Sequence, residues 1–133
     1  MKTIMSLFAG VLILLVSYSF TNEFQEEWVV PDEYVNMENP TDPSVDLAIG
    51  KSLYSKHCKS CHGKEGYGDG PKAAEQKGDL GDFSTAEYQS QTDGELFYKT
   101  SFGRGDMPEY TKKMPDDEDR WLIVNYMRTL LEE

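Results

Sequence analysis

The longest apolar run stands at the amino end, where residues 4–20 read IMSLFAGVLILLVSYSF without a charge, behind Lys2. A positive start, an apolar middle and polar sequence after it is the layout of a secretory signal peptide. Ser17-Tyr18-Ser19 offers a small-x-small cleavage site, although not the preferred Ala-x-Ala. The uncharged stretch from Thr3 to Asn22 holds 20 residues, and about 20 apolar residues can span a bilayer. Residues 1–21 therefore read as a signal peptide or as a retained N-terminal membrane anchor, and both readings export the remainder. That leader contains no Cys, which excludes a lipid anchor there.

Residues 22–44 show no helical period and are punctuated by Pro, so they read as an acidic tether or a strap across the domain. Trp28-Val29-Val30 suits packing on a globule better than a solvated linker. Residues 45–133 read as one compact, mostly helical domain. Asp42-Pro43 predicts an N-cap followed by Pro at the first helical position. The helix should run to about His57, with Leu47, Gly50, Leu53 and Tyr54 on related faces. Residues 63–82 are rich in Gly and predict a long loop, with a short helical turn at 73–76. A short helix is expected over 85–89. Thr92 and Glu95 form a capping box for a helix that stops at Gly103. Residues 103–115 read as loop. Asp116, with Asp119 three residues later, caps the last helix, where Ile123, Tyr126, Met127 and Leu130 follow i, i+3, i+4, i+7. No segment alternates as a strand, so the predicted fold class is all-α.

Charge narrows the partners. The chain carries −11, and loss of Lys2 with the leader would make the remainder −12. Between Glu23 and Gly50 there are eight carboxylates and no Lys or Arg. Such a surface argues against nucleic acid, whose phosphates require basic patches. It suits basic surfaces on a partner, or plain solubility after export. The 89 residues from 45 onward are few for a self-sufficient core. Something besides side chains is expected to fill the interior.

Both Cys and both His of the chain lie in His57-Cys58-Lys59-Ser60-Cys61-His62. Cys58-x-x-Cys61-His62 is the signature of covalent c-type haem attachment. Two thiols add across the two haem vinyl groups, and the His after the second Cys lies beneath the iron as its proximal ligand. A zinc site would need a second ligand pair, and no Cys or His remains to supply one. A thioredoxin-type dithiol belongs between a strand and a helix, whereas this motif ends a helix and precedes glycines. His57 reads as a surface residue at the helix end.

The chain resembles class I cytochromes c, the small monohaem electron carriers, over residues 45–133. Gly50-x3-Tyr54-x3-Cys58-x2-Cys61-His62 matches that family's first helix. The resemblance implies that Gly50 lets the last helix cross closely, and that Tyr54 packs on its contact surface of Ile123, Tyr126 and Met127. It implies a small cytochrome c fold, with helices wrapped around one covalent haem and a long glycine-rich loop. It further implies that the carbonyl of Pro71, in Gly70-Pro71, accepts the proximal His Nδ1–H. Gly103-Arg104-Gly105-Asp106-Met107-Pro108 resembles the family's Met-Pro loop, whose sulfur is the second axial ligand.

Residue chemistry bears on that ligand independently. With no distant His available, a Met thioether is the plausible sixth ligand, and it raises the reduction potential relative to bis-His ligation. Met1 and Met5 lie in the leader, Met37 in the acidic stretch and Met127 in the helical stripe. Met107 and Met114 remain, both followed by Pro. Gly103 and Gly105 let the backbone approach a haem face without Cβ clashes, which favours Met107. Met114 is expected to pack as a staple against the last helix, near Trp121 or the stem of Arg120. The aromatic residues Tyr67, Phe83, Tyr88, Phe97, Tyr98, Phe102 and Tyr110 are expected mostly to line the haem pocket or the core.

These readings combine into a periplasmic single-electron carrier of a respiratory chain, soluble or anchored to the outer face of the inner membrane. It would use one haem c and its iron, with His62 and Met107 as axial ligands. Its partners would be redox protein donors and acceptors. The alternative is a permanent electron-transfer subunit of a larger membrane redox complex. An enzymatic role is not expected, because peroxidase chemistry needs an open iron position and distal acid–base groups.

Overall fold

The computed structural model describes residues 26–132, so the leader predicted over 1–21 lies outside the described residues. The order is α1 (Asp32–Val35), α2 (Leu47–His57), α3 (Lys59–His62), a 3-10 turn (Ala73–Glu75), α4 (Ala86–Gln89), α5 (Asp93–Phe102) and α6 (Asp117–Arg128). Among the described residues there is no strand, only an isolated antiparallel bridge between Arg104 and Met107. No described helix is long and apolar enough to cross a membrane.

The core is the crossing of α2 and α5 on α6. Gly50 sits where a Cβ would overlap the backbone carbonyl of Leu122, so only a bare Cα allows this approach. One turn on, Tyr54 is 1% exposed, and its ring lies 5.1 Å from that of Tyr126. Its hydroxyl donates to the Gly63 carbonyl at 2.8 Å, which ties the crossing to the turn after His62. On the other side, Phe97 of α5 stacks on Trp121 of α6 with centroids 4.0 Å apart. Gly50→Val is expected to cost roughly 3 kcal/mol or more, the range of severe overpacking at a buried contact. A thermal midpoint unchanged by this substitution would show that the two helices do not meet there.

Helix starts follow local chemistry, with one correction. Thr92 and Glu95 complete a reciprocal capping box on α5, and Thr85 caps α4. Asp116 caps α6 by accepting the Glu118 N–H at 3.0 Å. Asp116→Ala should therefore cost about 1 kcal/mol, read from the denaturation midpoint. Asp42, by contrast, does not cap α2. Its carboxylate accepts the Ser44 N–H at 2.8 Å and the Ser44 hydroxyl at 2.6 Å, closing a local turn that competes with helix. Asp46 then adopts a left-handed conformation (φ 58°), and α2 begins at Leu47.

The stretch from Glu26 to Ser44 lies against the helices. Tyr34 packs on Tyr98 and Phe102, and Gly94 leaves room for the Tyr34 carbonyl. Asn39 donates to Asn125 Oδ1 at 2.7 Å, and Asn125 in turn donates to the Thr41 hydroxyl at 2.9 Å. Asn125 is 2% exposed, so these bonds satisfy a buried amide on α6 that would otherwise destabilise the fold. α1 is the one helical turn in a stretch for which the sequence pattern predicts none.

Candidate haem site

α2 delivers its last turn to the attachment motif. The chain turns at Cys58 (φ −113°, ψ −39°) into α3, which places Cys58, Cys61 and His62 on one side. Gly70 packs on the backbone of Ser60 and Cys61, where a side chain would collide. Its N–H donates to the Cys61 carbonyl at 3.0 Å. The glycine-rich loop is thereby folded down onto the motif rather than left in solvent.

His62 Nδ1 lies 3.0 Å from the Leu80 carbonyl. A carbonyl can only accept, so Nδ1 carries the proton and Nε2 keeps its lone pair. Burial lowers the imidazole pKa, and the Leu80 bond partly opposes that effect. The balance keeps the ring neutral and its orientation set, as a metal-ligating His requires. This corrects the partner implied by the resemblance: Leu80, not Pro71, faces the ring. Pro71 is exposed at the start of a turn, and the loop runs nine residues further before it returns beneath the imidazole. Phe83 flanks the same ring, with centroids 4.7 Å apart.

Cys58, Cys61, His62 and Met107 line one cavity of about 1300 Å³. This exceeds the roughly 300–1,000 Å³ of common small-molecule pockets. Phe83, Tyr88 and Tyr110 contribute to its walls. The other aromatic residues separate: Phe97 enters the helix core, Tyr98 and Phe102 meet Tyr34, and Tyr67 is 41% exposed and donates to Glu132. His57 also reaches the cavity edge, with its ring against Tyr110. The Tyr110 hydroxyl donates to the His57 carbonyl at 2.7 Å, joining the Met107 loop to the end of α2.

Met107 and Met114 part company. Met107 is half-buried and faces the cavity, whereas Met114 is 2% exposed within the helix core. The Met114 carbonyl accepts from the buried Arg120, whose Nε also donates to Ser101 Oγ at 3.0 Å. Gly103 holds φ +62°, and a Cβ there would strike the Met107 and Pro108 carbonyls. That close approach is what turns the chain back over the cavity.

The donor set fits a covalently held haem. Two thiols adjoin a neutral imidazole, and a thioether lines the same chamber, to which Trp28, Phe83, Tyr88 and Tyr110 contribute aromatic walls. Burial, then the neighbouring Cys61, pushes the Cys58 thiol up to about 12. A redox dithiol or a thiolate ligand needs the opposite shift. Among the described residues no cluster of His, Cys, Asp and Glu could hold a metal ion by itself.

The helical fold and this chamber define a c-type cytochrome. The chain belongs to the family described as cytochrome c oxidase, cbb3-type, subunit III, whose model matches residues 45–127. That domain type carries electrons and binds haem c covalently, with its iron. No curated protein matches the chain. Among solved structures, the KustC0563 c-type cytochrome is 25% identical with a TM-score of 0.55, over 62% of this chain and 98% of that one. A chain of the Kuenenia stuttgartiensis reducing HAO-like protein complex Kustc0457/Kustc0458 is 29% identical with a TM-score of 0.60, over 80% of this chain. The match spans about half of that relative, 51% of its length.

Proposed function

We propose that this chain is a single-electron carrier of an exported respiratory chain, holding one haem c attached at Cys58 and Cys61, with His62 and Met107 as axial ligands. The observation that carries the reading is the convergence of these four side chains on one cavity, with His62 oriented by Leu80. When bound, haem supplies a one-electron ferric–ferrous couple. The chain's own work is to orient the imidazole, present a thioether and keep water from the apolar walls. Intact mass of the exported protein should exceed the polypeptide by one haem, and a redox titration should follow a one-electron curve. Two haems, or none retained after denaturation, would overturn the reading.

The same reading places the domain in the periplasm, soluble or anchored to the outer face of the inner membrane, because residues 1–21 have the character of a leader. A second role, as a permanent subunit of a membrane redox complex, is favoured by the family's description as an oxidase subunit. Stoichiometric co-purification with an oxidase after detergent extraction would support the subunit role, and recovery as free protein would support the carrier.

Partners on this reading are redox proteins with basic surfaces. The carboxylates of Glu38, Asp42, Asp116, Asp117 and Glu118 are exposed. The association rate with such a partner should fall as salt rises, since exposed charges are screened beyond about 10 Å at 0.1 M. A rate that is flat or rising with salt would leave the acidity as a solubility device.

A further inference from the structure

The turn that bears Met107 is slight. Arg104 and Met107 exchange two backbone bonds, N–H to carbonyl at 3.0 Å each way, across Gly105 and Asp106. Both Gly103 and Gly105 sit at positive φ. A bridge of this size is marginal by itself, and segments with few backbone bonds open locally at little cost. Its side chains, however, are fastened from outside. Asp106 Oδ2 accepts the Lys77 N–H at 2.9 Å, from the glycine-rich loop that also lines the cavity. Arg104 lies with its guanidinium carbon 4.6 Å from the centroid of Trp28 and donates to the Glu26 carbonyl at 2.6 Å. Lys99 of α5 approaches the same indole at 5.8 Å. Glu26, Trp28, Lys99 and Arg104 all line the cavity beside Met107.

We propose that Trp28 is a positioning residue: by clamping Arg104 it holds the Met107 turn closed over the cavity. This rests on Met107 being the sixth ligand. Glu26 and Trp28 lie upstream of the family-matched residues 45–127, whereas Lys99 and Arg104 lie within them, so the clamp ties the upstream stretch to the domain. The indole face attracts the guanidinium, and the Glu26 carbonyl fixes the fork of that guanidinium. The bridge between Arg104 and Met107 passes the restraint to the residue carrying the thioether. Loss of the indole should leave the ligand in place most of the time but let the turn open more often.

The test uses the full haem-loaded chain with imidazole as probe, which binds ferric iron only when the methionine leaves. Trp28→Ala should keep the near-infrared sulfur-to-iron band in the absence of imidazole. It should raise apparent imidazole affinity by roughly 2- to 5-fold, the factor expected from losing one partly exposed cation–π contact. Amide exchange at Arg104 and Met107 should quicken by a similar factor. Trp28→Phe, which keeps an aromatic face, should recover most of both effects. Unchanged affinity and exchange in Trp28→Ala, with tight imidazole binding in Met107→Ala, would sink the clamp alone. Equal loosening in Trp28→Ala and Trp28→Phe would also sink it, because bulk rather than the aromatic face would then matter. Retention of the band in Met107→Ala would instead remove the ligation on which the clamp rests.

Discussion

Met107→Ala is expected to abolish the weak near-infrared charge-transfer band between sulfur and iron, to open the iron to external ligands and to lower the reduction potential. Thioether ligation favours the ferrous state, and axial ligands move haem potentials across about 0.8 V. A fall on the order of 0.1–0.3 V is therefore reasonable for losing one such ligand. Met114→Ala supplies the contrast. Met114 is 2% exposed within the helix core, so its truncation should cost about 2–4 kcal/mol of stability and leave the band in place. Visible and near-infrared spectra, a potentiometric titration and a denaturation curve on both variants decide the matter. The reverse pattern, with the band lost in Met114→Ala and kept in Met107→Ala, would falsify the assignment.

The second large effect concerns folding without the cofactor. Cys58→Ala/Cys61→Ala protein, produced in a host competent for haem attachment, is expected to lose cooperative structure. The cavity measures about 1300 Å³ in a small domain, and the faces that Phe83, Tyr88 and Tyr110 turn toward it would lose the group they line. Loss of packing against a core residue costs about 2–5 kcal/mol per large side chain, so losing the cofactor's contacts with several of them would match the whole stability of a small protein, about 5–15 kcal/mol. The helix crossing at Gly50 and the Phe97–Trp121 stack remain, so residual helix with fluctuating packing is the expected apo state. Circular dichroism and amide exchange report it directly. A variant that unfolds cooperatively with unchanged helix content would show that the polypeptide core suffices.

The sequence by itself determined the elements whose cause is local. The Thr92–Glu95 box, the Asp116 cap and the period of α6 depend on residues within one or two helical turns, and each stands where its pattern places it. The attachment motif is equally local, because the spacing of Cys58, Cys61 and His62 is itself the chemistry. Asp42 marks the limit of such reading. An Asp before Pro can cap a helix or close a turn on its own backbone, and the nearby Ser44 hydroxyl tips it to the turn.

The tertiary structure decided everything that required a loop to return. Leu80 reaches His62 across 18 residues, and glycines at positive φ permit many paths for that loop, so no spacing rule selects the carbonyl. The two candidate methionines differ little in sequence, since both precede Pro. They differ in space because Tyr110 is bonded back to Ser101 and His57, which leaves Met107 over the cavity and draws Met114 under Arg120. Nor did the acidic stretch before residue 45 announce its contacts. Trp28 finds Arg104, and Asn39 finds Asn125, across 76 and 86 residues. Long-range pairing of this kind is set by which surfaces the folded helices leave open, and that is a property of the assembled chain rather than of any window within it.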